Sequence, residues 1–309
     1  MAHEHTLGRT IRFCGVGVHS GEKSTITLHP APAGYGIRFQ RTDAAAGPIE
    51  IKAHVDQVSG VALATRLSSP DQQYCVSTVE HLMAALFAFG IDNIIIEIDG
   101  SEVPIMDGSS AQFCEKIRQV GVVAQSPERK FLRLIDRVEV RHGSRWARLS
   151  PCSGDDLELS ARIEFENPYI GVQDAEFKFG RDDFEVELAP ARTFGFAWEV
   201  EELRRRGLAQ GGSIDNAVVV SDEGILNPEG LRFDNEFVRH KLLDAVGDLY
   251  LAGVRIAGRY EANQPGHELN YKLVSALLAQ TSAWYIDDAM GAERLPSDSP
   301  ASFHSRLAI

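Results

Sequence analysis

The chain has 309 residues, of which 44% are hydrophobic and 24% charged, with a formal net charge of -13. That is the composition of a globular protein large enough for two cores. It contains no apolar run near the roughly 20 residues that span a bilayer and no basic, apolar and small-residue export signal at its start. The acidic balance opposes a nucleic-acid footprint, which needs clustered Lys and Arg. The expectation is a cytoplasmic protein without a transmembrane segment, acting as a monomer on a small molecule.

In chain order, "STITLHP" (24–30) and "GIRFQRT" (36–42) have the composition and alternation of strands. "VEHLMAALFAF" (79–89) reads as a helix. Ser77 and Glu80 have the S-x-x-E spacing of a capping box, which gives Glu80 a purely structural reason to be there. His81 beside it has none. The polar, proline-bearing "AQSPERK" (124–130) reads as a linker, dividing an N-terminal α+β domain (1–126) from a C-terminal one (127–309). Beyond it come "FLRLIDRVEVRH" (131–142), "WARLSPC" (146–152) and "LELSARIEF" (157–165), then helices at 198–207, 237–252 and 269–283. One echo, "FGIDNIIIEIDG" (89–100) against "GGSIDNAVVVSDEG" (211–224), points to two related α+β halves facing each other. Chance similarity of two helix-turn-strand junctions explains it equally well.

Cys14, Cys75, Cys114 and Cys152 show no CxxC spacing, so any metal is held by His and carboxylates. The segment "FVRHKLLDAVGDLY" (237–250) offers them. Each fourth residue of a helix advances by only about 40°, so His240, Asp244 and Asp248 share one face while Leu242, Leu243, Val246, Leu249 and Tyr250 point away. The plain alternative is an amphipathic helix with a solvated polar side. A zinc hydrolase needs three protein ligands, an open position, and a carboxylate to take a proton from water. His81, His240 and Asp244 supply the first, and Glu80 the last. Alone, His267 in "QPGHELN" is a loop histidine and Thr193 in "ARTFGF" a strand end.

Together the segments "GVGVHSGE" (15–22), "STVEHLMAAL" (77–86), "ARTFGF" (191–196), "GGSIDNAVVV" (211–220), "LRFDNEFVRHKLLDAVGDL" (231–249) and "GHELN" (266–270) closely resemble UDP-3-O-acyl-N-acetylglucosamine deacetylases. These are the zinc amidases of early lipid A synthesis in Gram-negative bacteria. The resemblance implies two α+β halves sandwiching the site. It implies one Zn2+ on His81, His240 and Asp244, a His2Asp set that also suits Fe2+. Glu80 matches the general base, Thr193 the hydroxyl near the reacting carbonyl, and His267 with Asp248 the acid-side pair. Lys241 and Phe165 match the diphosphate and uracil contacts. The insert near 197–220 matches an acyl passage, with Phe194, Phe196, Val200, Ala217 and Val219 along it and Gly212 and Ser213 on the substrate side. His19 matches a family position without a chemical role. Two departures stand out: Ala64 replaces a cysteine that some relatives have near the metal, and "EANQPGH" (261–267) lacks the lysine common before the loop histidine. A nucleotide-sugar binding protein with a structural metal is the competing class, and it would need a fourth protein ligand that the sequence does not offer.

Overall fold

The computed structural model describes residues 3–154 and 156–287. Its first half starts with β1 (His3–Leu7), the antiparallel pair β2 (Ile11–Val16) and β3 (Lys23–Pro30), and a second pair, β4 (Ile37–Arg41) and β5 (Ile49–Lys52). A small sheet of β6 (Val58–Gly60), β7 (Arg66–Ser68) and β8 (Cys75–Ser77) leads into helix α1 (Glu80–Ala88), strand β9 (Ile94–Ile98), helix α2 (Ala111–Val120) and strand β10 (Val122–Glu128). β9 slots between the two pairs, antiparallel to β3 and parallel to β4. Alternation makes this sheet one-sided: Ser24, Ile26 and Leu28 of β3 and Ile94, Ile96 and Ile98 of β9 face the core.

The second half begins with β11 (Phe131–Leu134) and two antiparallel pairs, β12 (Val138–His142) with β13 (Arg145–Ser150) and β14 (Leu157–Glu164) with β15 (Val172–Lys178). After the short helix α3 (Phe184–Glu187), strand β16 (Phe194–Phe196), helix α4 (Ala197–Arg205) and strand β17 (Val218–Val220) form an insert. Its two strands are parallel, so the chain between them must cross over, and α4 lies on that crossover. Helix α5 (Glu236–Tyr250), strand β18 (Arg255–Asn263), helix α6 (His267–Ala279) and strand β19 (Trp284–Asp287) complete the described chain.

β18 lies antiparallel to β13 and parallel to β14. The second half therefore repeats the plan of the first: pair, pair, helix, central strand, helix. The expected repeat is present, but the echo that pointed to it is not its trace. β9 corresponds to β18 and α1 to α5, whereas the "GGSIDN" segment leads into β17 of the insert. Strand pairing, which is non-local, decides the correspondence.

The helices of the two halves meet in the middle, α1 against α5. At nine residues α1 is too short to hold itself. It is stabilised by fully burying Leu82, Met83 and Leu86, on the order of 1.5–3 kcal/mol each. The two helices approach closely at Gly247, where a Cβ would lie 2.0 Å from the Glu80 carbonyl oxygen. Only glycine fits there. The same contact rules out the plain alternative of a solvated face on α5: His240, Asp244 and Asp248 are all buried, because the first half covers them.

The segment expected to link the halves is mostly strand. β10 pairs with β1, and its register breaks opposite His3–His5, over the stretch containing Pro127, which has no N–H to give. "FLRLIDRVEVRH" holds two strands, β11 and β12. No helix among the described residues is long and apolar enough to cross a membrane.

Candidate metal centre and active site

Three ligand atoms converge where α1 begins and α5 passes. Asp244 Oδ1 lies 3.5 Å from His81 Nε2 and 3.2 Å from His240 Nε2, and the three residues present ligand atoms within 4.8 Å of one another. The two imidazoles stand nearly perpendicular, their centroids 4.9 Å apart. Asp244 Oδ1 is buried and has no hydrogen-bond partner among the described residues. A buried carboxylate oxygen with nothing to accept is costly, and two imidazole nitrogens beside it make a cation the natural compensation.

The surroundings fix the form of two of the three, His240 and Asp244. His240 Nδ1 donates to the Ala191 carbonyl at 3.0 Å, leaving the Nε2 lone pair free. Burial depresses the His240 pKa to about 3, so the ring is neutral, as a metal ligand must be. Burial alone would raise the Asp244 pKa, but the neighbouring His240 and Lys241 hold it well below the usual carboxylate range. The Ala191 carbonyl is itself held in place. The next residue, Arg192, is buried and gives its backbone N–H (3.0 Å) and its Nε (2.8 Å) to Glu236, one turn before His240 on α5.

Glu80 does not close a capping box. Thr78 has φ 57, an uncommon conformation for a β-branched residue, and its hydroxyl donates to Glu102 at 2.8 Å. That turn leaves Ser77 in β8, and α1 starts without a side-chain cap. Glu80 is instead buried beside the His81, His240 and Asp244 cluster, with Oε2 accepting the Thr65 N–H at 3.1 Å and Oε1 3.8 Å from His267 Nε2. Burial raises its pKa, although the nearby His267 and His81 pull the other way.

His267 is the first residue of α6 rather than a loop residue before it. Its Nδ1 donates to Asp248 Oδ2 at 2.9 Å. Burial favours the neutral ring, but the carboxylates of Asp248 and Glu80 outweigh it and raise the pKa to about 9. Asp248 also accepts from Asn270 Nδ2 (2.8 Å) and from the Thr65 hydroxyl (2.6 Å), and Tyr260 donates to Asn270 Oδ1 at 2.7 Å. Thr65, Asn270, Tyr260, Arg192 and Glu236 were not singled out in the sequence. Arg192, Asn270 and Glu236 lie inside the quoted motifs, whereas Thr65 carries no signal beyond following Ala64.

The remaining expected residues fall into separate groups. Lys241 Nζ donates to Asp244 Oδ2 at 3.2 Å and lies 5.4 Å from the centroid of the Phe194 ring. Thr193 is held through its backbone by Gly108 and Val218, two residues from the Ala191 carbonyl. Phe165 packs against Phe194 and Phe196 with centroids 5.9 and 5.8 Å apart. The register of β16 and β17 puts Phe194 and Phe196 on one face with Val218 and Val220, and Gly195 on the other with Val219. Ala217 shares the Val219 parity, and a Cβ at Gly195 would meet nothing within 4 Å. Val200 is half-buried on α4. Gly212 and Ser213 lie in a turn closed by Asn216, whose Oδ1 accepts the Ser213 N–H at 2.9 Å. This turn packs against the 17–21 loop of the first half through the Gly211 N–H to Val18 bond. In that loop His19 gives its N–H to Glu102 at 3.0 Å, while its Nδ1 is buried without a partner among the described residues.

Comparison with known proteins follows this geometry. A family model described as UDP-3-O-acyl N-acetylglycosamine deacetylase matches residues 4–279. The chain is 46% identical over 286 residues to the UDP-3-O-acyl-N-acetylglucosamine deacetylase of Thioalkalivibrio sulfidiphilus, covering 92% of each chain. Against the proteins of the same name from Xanthomonas oryzae pv. oryzae and Geotalea uraniireducens the identities are 45% over 300 residues and 44% over 302. Those matches cover 96% and 98% of this chain and 97% of each relative.

Proposed function

The chain belongs to the UDP-3-O-acyl N-acetylglycosamine deacetylase family, and from that premise we propose that it is a zinc-dependent amidase of lipid A biosynthesis. Its substrate is UDP-3-O-[(3R)-3-hydroxyacyl]-N-acetylglucosamine, from which it hydrolyses the 2-acetamido group to release acetate and a free 2-amino sugar. The observation that carries the reading is the unpartnered Asp244 Oδ1 between two imidazole Nε2 atoms. Those three residues would hold the metal, and zinc bound there supplies Lewis-acid polarisation of the carbonyl and of the attacking water.

The protein's own groups then divide the proton transfers. Glu80 Oε1, the oxygen not held by Thr65, takes a proton from the attacking water, and its burial makes it a stronger base than an exposed carboxylate. The Thr193 hydroxyl donates to the carbonyl oxygen as it gains charge. His267, protonated at neutral pH, delivers its Nε2 proton to the departing nitrogen while Asp248 steadies the other side of the ring. Lys241 is assigned to the diphosphate and Phe165 to the uracil. Ala217 and Val219 border the acyl chain on the face of the β16–β17 pair where Gly195 leaves space, with Val200 beyond and Gly212 and Ser213 on the substrate side, while Phe194 and Phe196 take the opposite face beside Phe165.

The test is acetate release from the acylated nucleotide sugar, measured before chelation, after it, and after adding back Zn2+. Loss on chelation and recovery with zinc is the expected result. Release that a chelator leaves untouched would contradict the reading.

A further inference from the structure

Thr65 lies 183 residues from Asp248 and 15 from Glu80 in the chain, yet it touches both. It is almost fully buried, at 2% exposure. Its N–H donates to Glu80 Oε2 at 3.1 Å and its hydroxyl to Asp248 Oδ1 at 2.6 Å. The direction of the second bond is fixed, because an ionised carboxylate only accepts. Asp248 Oδ2 is already occupied by His267 Nδ1 and Asn270 Nδ2. The Thr65 hydroxyl therefore anchors the other oxygen among the described residues, and the same Oγ1 lies 3.4 Å from His267 Nδ1.

We infer that Thr65 is a positioning residue for both proton transfers: its backbone orients the base Glu80, and its hydroxyl locks the Asp248 carboxylate that aims His267. Without the hydroxyl, Asp248 Oδ1 is buried with nothing to accept. The carboxylate then turns about its own Cβ–Cγ bond and carries the His267 ring with it. A β-branched residue suits the task, since its χ1 is restricted and the hydroxyl direction is set before substrate arrives. The inference rests on the roles given above to Glu80 and His267.

Thr65→Val keeps the shape and the backbone N–H but removes the hydroxyl. Thr65→Ser keeps the hydroxyl, and Thr65→Ala cannot clash if the second methyl of valine displaces the loop. All three are compared with wild type and with His267→Ala for kcat, KM, bound metal and thermal midpoint. The expected result is a fall in kcat of about 10-fold or more for Val and Ala, the scale of a lost orienting bond. KM and metal content should hold, with Ser within about 3-fold of wild type. In the His267→Ala background Thr65→Val should cost little more, because both changes disable one unit. Three outcomes overturn the inference while leaving the deacetylase reading intact: Val and Ala variants as active as wild type, a Ser variant as impaired as Val, or a full further loss on top of His267→Ala. A wild type that releases no acetate would remove both.

Discussion

The two ends of the α1–α5 helix pair both bury polar groups and treat them differently. At the far end each has a partner: Tyr250 donates to the Ile91 carbonyl at 2.7 Å, and Arg255 donates to the Phe87 carbonyl at 2.7 Å with its guanidinium 3.7 Å above the Phe87 ring. Arg129 pairs with Asp92 at 2.8 Å beside them. Cations there also answer the negative end of α1. At the near end Asp244 Oδ1 has no hydrogen-bond partner among the described residues although Asp244 is just as buried. Charge burial that is fully matched holds a structure together. Burial left unmatched at one atom marks where something else binds.

The comparison breaks first at the near end. His240→Ala should abolish metal binding and take activity to background, a loss of about 1000-fold or more, while the far end keeps the fold cooperative. Metal analysis beside circular dichroism checks this. His267→Ala should cost about 100-fold in rate, the scale of a general acid, with metal retained. The same pair sets the pH profile. His267 is raised to about 9, so the acid is present below that pH and lost as pH rises through it. Activity should fall on that alkaline limb, and Asp248→Asn should move the limb to lower pH, which a kcat/KM titration reads. The two sides of the profile belong to a coupled site. An alkaline limb unmoved in both variants would mean that another group donates the proton.

Effects at the far end should fall on stability alone. Arg255→Met removes a buried charge-assisted bond to the Phe87 carbonyl, which keeps the Gly90 N–H at 2.9 Å, a cost of about 1.5–3 kcal/mol, and chemical denaturation should report it with kcat unchanged. The smallest effect sharpens the contrast. Asp244→Asn keeps the size but removes the charge whose ionised form His240 and Lys241 favour, so at neutral pH the metal-free protein should lose about 1 kcal/mol. A metal-free variant as stable as metal-free wild type would mean that the carboxylate gains nothing from those neighbours.

Much of the site was legible because its residues fall in long local patterns. His240, Asp244 and Asp248 are spaced by the helix itself, and His81 lacked a structural reason beside an apolar helix. What escaped was set by contacts distant in sequence. Thr65 matters only because folding brings it to Asp248. Ser77 and Glu80 have capping spacing, but the Thr78 turn, anchored on Glu102, directs Ser77 into a strand. β10 reads as a linker because its pairing with β1 tolerates Pro127 at an irregular register. The two-half plan was expected from the wrong pair of segments, since β9 and β18 share a place in their sheets and no evident sequence.

The central claim is that Asp244 is left unpartnered to receive a metal together with His81 and His240. Anomalous diffraction at the zinc edge from zinc-loaded crystals tests it most directly. The account predicts one peak per chain within coordination distance of His81 Nε2, His240 Nε2 and Asp244. A peak elsewhere, or zinc held by Glu80 or His267 in place of any of the three, would contradict it.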